Sequence, residues 1–188
     1  ISVLCGSSSG NDKVFSEQAI LLGKAIANRG YGIVYGGAQV GLMGAVANAV
    51  LNCGGNVIGV LPKLLRRKEL EHIGLTKIHI VETMHERKAL MNELCDGIIA
   101  LPGGFGTMDE LFEILTWAQL GIHHKPVAVL NTEGYCDALV TFMETMIDKG
   151  FLKPEYRQMV LIEDNIEILL NRMENYKPLE NNKWFDVE

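Results

Sequence analysis

Along the chain, short unbroken apolar runs alternate with longer segments in which apolar residues recur every three or four positions. The short runs span residues 1–5, 32–35, 56–61, 77–81, 97–101 and 127–130. Continuous apolar character is what a strand shows when both of its faces are buried, as in a parallel sheet. The longer segments, residues 12–29, 42–53, 84–95, 108–120 and 135–149, carry the helical period. A last helix near 165–174 follows a short apolar stretch at 159–162. This alternation predicts an α/β, Rossmann-like fold, an open parallel sheet with helices on both faces. A single domain over residues 1–176 accounts for the pattern, followed by a polar tail over 177–188 that carries Trp184 and Phe185.

Ligands of such sheets bind beyond the carboxyl ends of the strands, which directs attention to the loops there. Three are Gly-rich: Gly6-Ser7-Ser8-Ser9-Gly10, then Gly36-Gly37-Ala38-Gln39-Val40-Gly41, and Pro102-Gly103-Gly104-Phe105-Gly106-Thr107. None has the spacing of a dinucleotide fingerprint or of a Walker A loop. In the third, glycines allow positive φ and let an anion approach the backbone amides. The following helix turns its free N–H groups and its positive dipole end to the same place. The loop thus reads as a phosphate cradle without a lysine; the alternative is a tight turn whose glycines serve packing. Glu110 has two readings as well. With Thr107 it fits a capping box, in which a Glu three residues after the cap bonds back to it, and it also fits a catalytic carboxylate beside the cradle.

The predicted helix at 84–95 opens with a second capping box, Thr83-x-x-Glu86. Its apolar stripe is Met84, Met91, Leu94 and Cys95, with Leu90 beside it, and Arg87 falls on that stripe. A guanidinium facing inward needs an anionic partner, and cations in a first helical turn oppose the helix dipole. A bound phosphate or a facing carboxylate relieves both; snorkelling to solvent or a structural ion pair would also serve. His85 reads as a surface residue. Arg66-Arg67-Lys68-Glu69 reads as a charged loop, and His123-His124 lacks the Cys or acidic neighbours of a metal site.

Composition narrows the classes further. Of 188 residues, 48% are hydrophobic and 21% charged, and the net charge is −6. An acidic chain lacks the basic face that nucleic acids or anionic membranes require. No apolar run approaches the roughly 20 residues of a membrane span. The chain opens directly on an apolar run without the pattern of a secretory leader, and Cys5, Cys53, Cys95 and Cys136 have no metal or redox spacing. These features give the expectation of a cytoplasmic protein with buried, reduced thiols.

Taken together, Pro102-Gly103-Gly104-Phe105-Gly106-Thr107-Met108-Asp109-Glu110 and Met84-His85-Glu86-Arg87-Lys88 closely resemble the Lonely Guy family of cytokinin-activating phosphoribohydrolases, long labelled as lysine decarboxylases. Cys5-Gly6-Ser7-Ser8, Tyr35-Gly36-Gly37, Gly41-Leu42-Met43-Gly44, Thr116-Trp117-Ala118-Gln119-Leu120-Gly121 and Lys125-Pro126-Val127 extend the likeness over nearly the whole chain. The resemblance implies a homodimer with its site close to the subunit interface. It also implies hydrolysis of N6-substituted adenosine 5′-monophosphates, or of AMP, to free base and ribose 5-phosphate. It assigns the catalytic roles to Arg87 and Glu110, and substrate contacts to Glu69, Lys88, Gly103, Gly104, Phe105, Gly106, Thr107, Met108, Asp109 and Thr116. Asp109 stands where many members of the family have Glu, which keeps the charge and shortens the reach. No metal and no cofactor is expected. A non-catalytic nucleotide carrier or sensor is the alternative from another class.

Overall fold

The computed structural model describes residues 1–66 and 71–179. Seven strands form one sheet: β1 (Ser2–Leu4), β2 (Ile33–Tyr35), β3 (Val57–Pro62), β4 (Lys77–Val81), β5 (Ile98–Ala100), β6 (Val127–Leu130) and β7 (Val160–Glu163). All neighbouring pairs are parallel, in the order β4-β3-β2-β1-β5-β6-β7. The helices are α1 (Lys13–Asn28), α2 (Gly41–Asn52), α3 (Lys63–Arg66), α4 (Met84–Glu93), α5 (Phe105–Gln119), α6 (Asp137–Asp148) and α7 (Ile166–Glu174).

The continuous apolar runs follow from two cores, one on each side of the sheet. Val3, Ile33, Tyr35, Ile99, Ala128 and Leu130 point to one face, where they meet α1, α2 and α7 through Leu22, Ile26, Val46, Val50 and Leu169. Their chain neighbours Leu4, Val34, Ile98, Ala100, Val127 and Val129 point to the other face, where Met91 of α4, Leu111 and Ile114 of α5 and Met143 of α6 cover them. Successive residues serve opposite faces, so neither can be polar.

Three features depart from the sequence pattern. The apolar stretch at 159–162 is the edge strand β7, and the charged segment after Pro62 begins with the short α3. Helix α5 starts at Phe105, three residues before the expected start. Tyr176 packs on the first core and Leu179 on a small cluster of Ala118, Tyr156 and Met159. Trp184 and Phe185 lie outside the described residues.

The chain order reverses at β1. From β1 it runs outward through β2 to β4, then crosses to β5 on the other side of β1. A crevice opens where the loops after β1 and β5 diverge, the place such sheets offer to ligands.

Candidate active site

Two adjoining clefts occupy that crevice. One, of ≈ 280 Å³, is walled by Cys5, Gly6, Ser7, Met43, Met84 and Arg87 on one side and by Gly104, Phe105, Gly106, Thr107, Asp109 and Glu110 on the other. The second, of ≈ 290 Å³, shares Gly6, Ser7 and Gly104 and adds Phe15, Leu42, Pro102 and Tyr135. The predicted cradle therefore lines both.

The start of α5 explains why. Asp12, Thr83 and Asn165 cap α1, α4 and α7 with their side chains, whereas α5 begins after Gly104 without a side-chain cap. The first amides of α5 have no partner inside the helix and open on the clefts, where an anion would also meet the positive dipole end. The loop glycines divide the work. A Cβ at Gly103 would stand 2.7 Å from Thr107 Cβ and 2.9 Å from the Gly6 amide nitrogen, so Gly103 serves close packing. A Cβ at Gly104 or Gly106 would meet no atom of the described residues within 4 Å; what these glycines leave clear is access to the amides. None of the three has positive φ, which corrects the expectation that the loop needs the left-handed region. That region is used at Gly41 (φ 56°), where a Cβ would lie 2.6 Å from the Ser8 amide nitrogen and the start of α2 closes on the loop after β1.

The helix start also removes the capping-box reading of Glu110. Thr107 is the third residue of α5, not its cap. Glu110 is buried on the inner side of α5. Its Oε1 lies 3.3 Å from Nη2 of Arg87, with both side chains about nine-tenths buried. Arg87 projects inward from α4, as the stripe predicts; its Nη1 approaches Met84 Sδ at 3.9 Å, and its Nε has no hydrogen-bond partner among the described residues. Burial pushes the Glu110 carboxyl above the usual carboxylate range, and the charges of Arg87 and Lys88 oppose the shift without cancelling it. Cys5 at the cleft floor is held as a neutral thiol, chiefly by burial and also by Glu110, with Arg87 opposing.

The second capping box is present with one change: Thr83 Oγ1 accepts from the Glu86 amide, while the Glu86 carboxylate accepts from the amide of Glu82 rather than that of Thr83. Met84 and Leu94 are exposed rather than inward-facing, and Met84 lies at the cleft wall. Cys53 is exposed at the end of α2 rather than buried, and His85 is exposed as expected.

Other expected site residues lie apart from the clefts. Lys88 turns between α4 and α5, where its Nζ meets Asp109 at 3.2 Å and Glu113 at 3.0 Å with 9% of the side chain exposed. Burial acts to lower its pKa, and the hydrogen bonds to Glu113 and Asp109 outweigh it and leave the pKa raised. Met108 packs into the second core. Thr116 is exposed about 9 Å farther along α5 than Glu110, with its hydroxyl bonded to the Phe112 carbonyl. Glu69 lies outside the described residues. Met43 and Cys5 stand in motifs that carry the family likeness, but apolar character gives the sequence no reason to place them in the site. Tyr135, whose hydroxyl donates to the Gly103 carbonyl at 2.7 Å, gave no signal either. Among the described residues, no group of three or more His, Cys, Asp or Glu is placed to hold a metal ion, and no helix is long and apolar enough to cross a membrane.

A family model described as "Possible lysine decarboxylase" matches residues 43–173. The chain is 46% identical over 178 residues to the cytokinin riboside 5'-monophosphate phosphoribohydrolase LOG7 of Arabidopsis thaliana, covering 95% of this chain and 82% of that protein. It is 44% identical over 178 residues to LOG1 of the same plant, which bears the same activity name, covering 95% of this chain and 84% of that protein. Among solved structures, the molybdenum cofactor carrier protein of Chlamydomonas reinhardtii superposes with a TM-score of 0.69 at 20% identity, over 93% of this chain and 94% of that chain. At that identity the likeness shows a shared fold.

Proposed function

The chain belongs to the Lonely Guy family of cytokinin riboside 5'-monophosphate phosphoribohydrolases, whose family model carries the lysine decarboxylase description, and on that premise we propose that it hydrolyses the N-glycosidic bond of N6-substituted adenosine 5′-monophosphates, or of AMP, to free base and ribose 5-phosphate. The observation that carries this is the buried Arg87–Glu110 pair, set in the cleft wall beside the uncapped start of α5. The 5′-phosphate takes the amides of residues 104–107. The ribose then lies over Glu110, whose carboxylate stabilises the positive charge that develops as the bond from C1′ to the base breaks. The electron pair of that bond leaves with the base. Water adds to C1′ and gives a proton to Glu110, while the base takes a proton from solvent. Arg87 fixes substrate oxygens and orients the carboxylate through its fork of N–H donors.

A decarboxylase acting through a Schiff base needs a lysine that can become a free amine. Lys88, which lies beside this site, is held as a cation between two carboxylates. A nucleotide carrier needs phosphate donors but has no use for a buried carboxylate under the sugar. The same reading makes residues 1–176 one catalytic domain and the protein a cytoplasmic homodimer. Phe105, 97% exposed at the cleft rim near exposed Met84, supports a second copy covering that rim. Incubation with AMP and N6-substituted AMP, followed by chromatography of the free base, tests the function. A monomeric mass by light scattering for the fully active protein would remove the dimer.

A further inference from the structure

The guanidinium of Arg87 touches its own helix at Met84 Sδ and reaches beyond it. It extends from α4 across the carboxyl end of β2 and sits over Gly36, the residue that follows the strand. A Cβ built on Gly36 would stand far inside van der Waals distance of both Arg87 Nη2 and Met43 Cε, and 3.2 Å from Arg87 Cζ. Gly36 is not among the glycines with positive φ, so its backbone would accept alanine. At Gly41 and Gly44 an added Cβ would strike backbone atoms; at Gly36 it would strike the ends of two flexible side chains. The absence of a side chain at position 36 is therefore not demanded by the turn. It makes room for a buried cation whose Nη2 stands 3.3 Å from Glu110.

We propose that Gly36 is a positioning residue for catalysis, acting through Arg87: the bare Cα at the end of β2 is the seat that lets the guanidinium reach Glu110. A methyl group there pushes the guanidinium and the Met43 terminus away, and the carboxylate loses its partner while the fold remains. The inference rests on the role given to Arg87 above, and its test separates the two.

The test is a double-mutant cycle of Gly36→Ala and Arg87→Ala, read in kcat/KM for the nucleotide and in thermal unfolding. Gly36→Ala alone is expected to lower kcat/KM by about 10²-fold, the usual cost of misplacing a reacting group by about 1 Å. Its Tm should change by less than about 4 °C. In the Arg87→Ala background, Gly36→Ala should lower the residual rate far less than in the wild type, because only the Met43 terminus is left for it to displace. Single-turnover measurement at high enzyme concentration reads that residual rate. Wild-type kcat/KM in Gly36→Ala, or an equal loss in both backgrounds, would overturn the proposal while leaving Arg87 its role. Full activity in Arg87→Ala would instead remove the role of Arg87 on which the proposal stands. If Gly36→Ala fails to fold but the double variant folds, the steric coupling is supported; if both fail, the backbone requires glycine and the proposal falls.

Discussion

Arg87 and Glu110 come from different helices, yet Nη2 of the one lies 3.3 Å from Oε1 of the other, and both side chains are about nine-tenths buried. The two helices cover the same face of the sheet, so the pair sits where that face meets the crevice between β1 and β5. Burial wins over attraction at the carboxylate, whose pKa is raised in spite of its neighbour. Carboxylates shifted by burial beside a charged partner in a cleft are concentrated at functional sites.

Glu110→Gln should therefore separate function from stability. The amide is nearly isosteric, can still accept from Arg87 and carries no buried charge. Turnover should fall by on the order of 10²–10⁴-fold, mainly in kcat, while Tm stays the same or rises. An active but less stable variant would show that Glu110 serves the fold.

The raised pKa sets the acid limb of activity. The mechanism requires ionised Glu110, so kcat/KM should fall as pH drops through a value above the usual carboxylate range. Arg87 opposes the shift, so removing its charge in Arg87→Gln should move the limb to higher pH. A limb that stays in place in that variant would mean another group is titrating.

The cradle makes the 5′-phosphate a requirement. Gly104 and Gly106 leave the amides at the start of α5 accessible, and no side chain caps that end. AMP should be turned over far faster than adenosine. Gly106→Ala, whose Cβ meets no atom of the described residues within 4 Å, should keep Tm and raise KM for AMP. Equal kcat/KM for nucleotide and nucleoside would refute the cradle.

His123 predicts a pH dependence of stability away from the site. It is buried; its Nδ1 accepts from the Lys125 amide at 3.2 Å, and its Nε2 lies 3.0 Å from the Ile114 carbonyl, to which it donates as a neutral ring. Burial lowers its pKa. The unfolded chain thus binds more protons than the folded one between the lowered value and the ordinary value near 6.5. The stability this neutral ring contributes is full above about pH 6.5 and is lost as pH falls below it. Urea midpoints across that range should decline less in His123→Gln than in the wild type; parallel curves would exclude His123 as the source.

Much of this was legible in the sequence because the physics is local. Runs such as residues 127–130 announce buried strands, and Arg87 stands out as a cation on an apolar stripe. The start of α5 was not legible: Gly104-Phe105-Gly106 favours a loop by propensity, and a tertiary setting that opens the helix on the crevice overrides it. That same shift left the role of Glu110 ambiguous, because the capping box depends on where the helix begins. Strand β7 is short and lies at the sheet edge, with Ile162 and Glu163 only half-buried, so its signal is weak. Gly36 shows only as one of several loop glycines, since its neighbour Arg87 is distant in sequence and close only in the fold.

Whether this site breaks a glycosidic bond or merely holds a nucleotide is decided by quantifying free base and ribose 5-phosphate from AMP and N6-substituted AMP, with wild-type protein and Glu110→Gln run in parallel. With the wild type the two products should appear in equal amounts over many turnovers, whereas Glu110→Gln should bind the nucleotide but release little base. Saturable nucleotide binding by the wild type without product, or undiminished product release by Glu110→Gln, would contradict this reading.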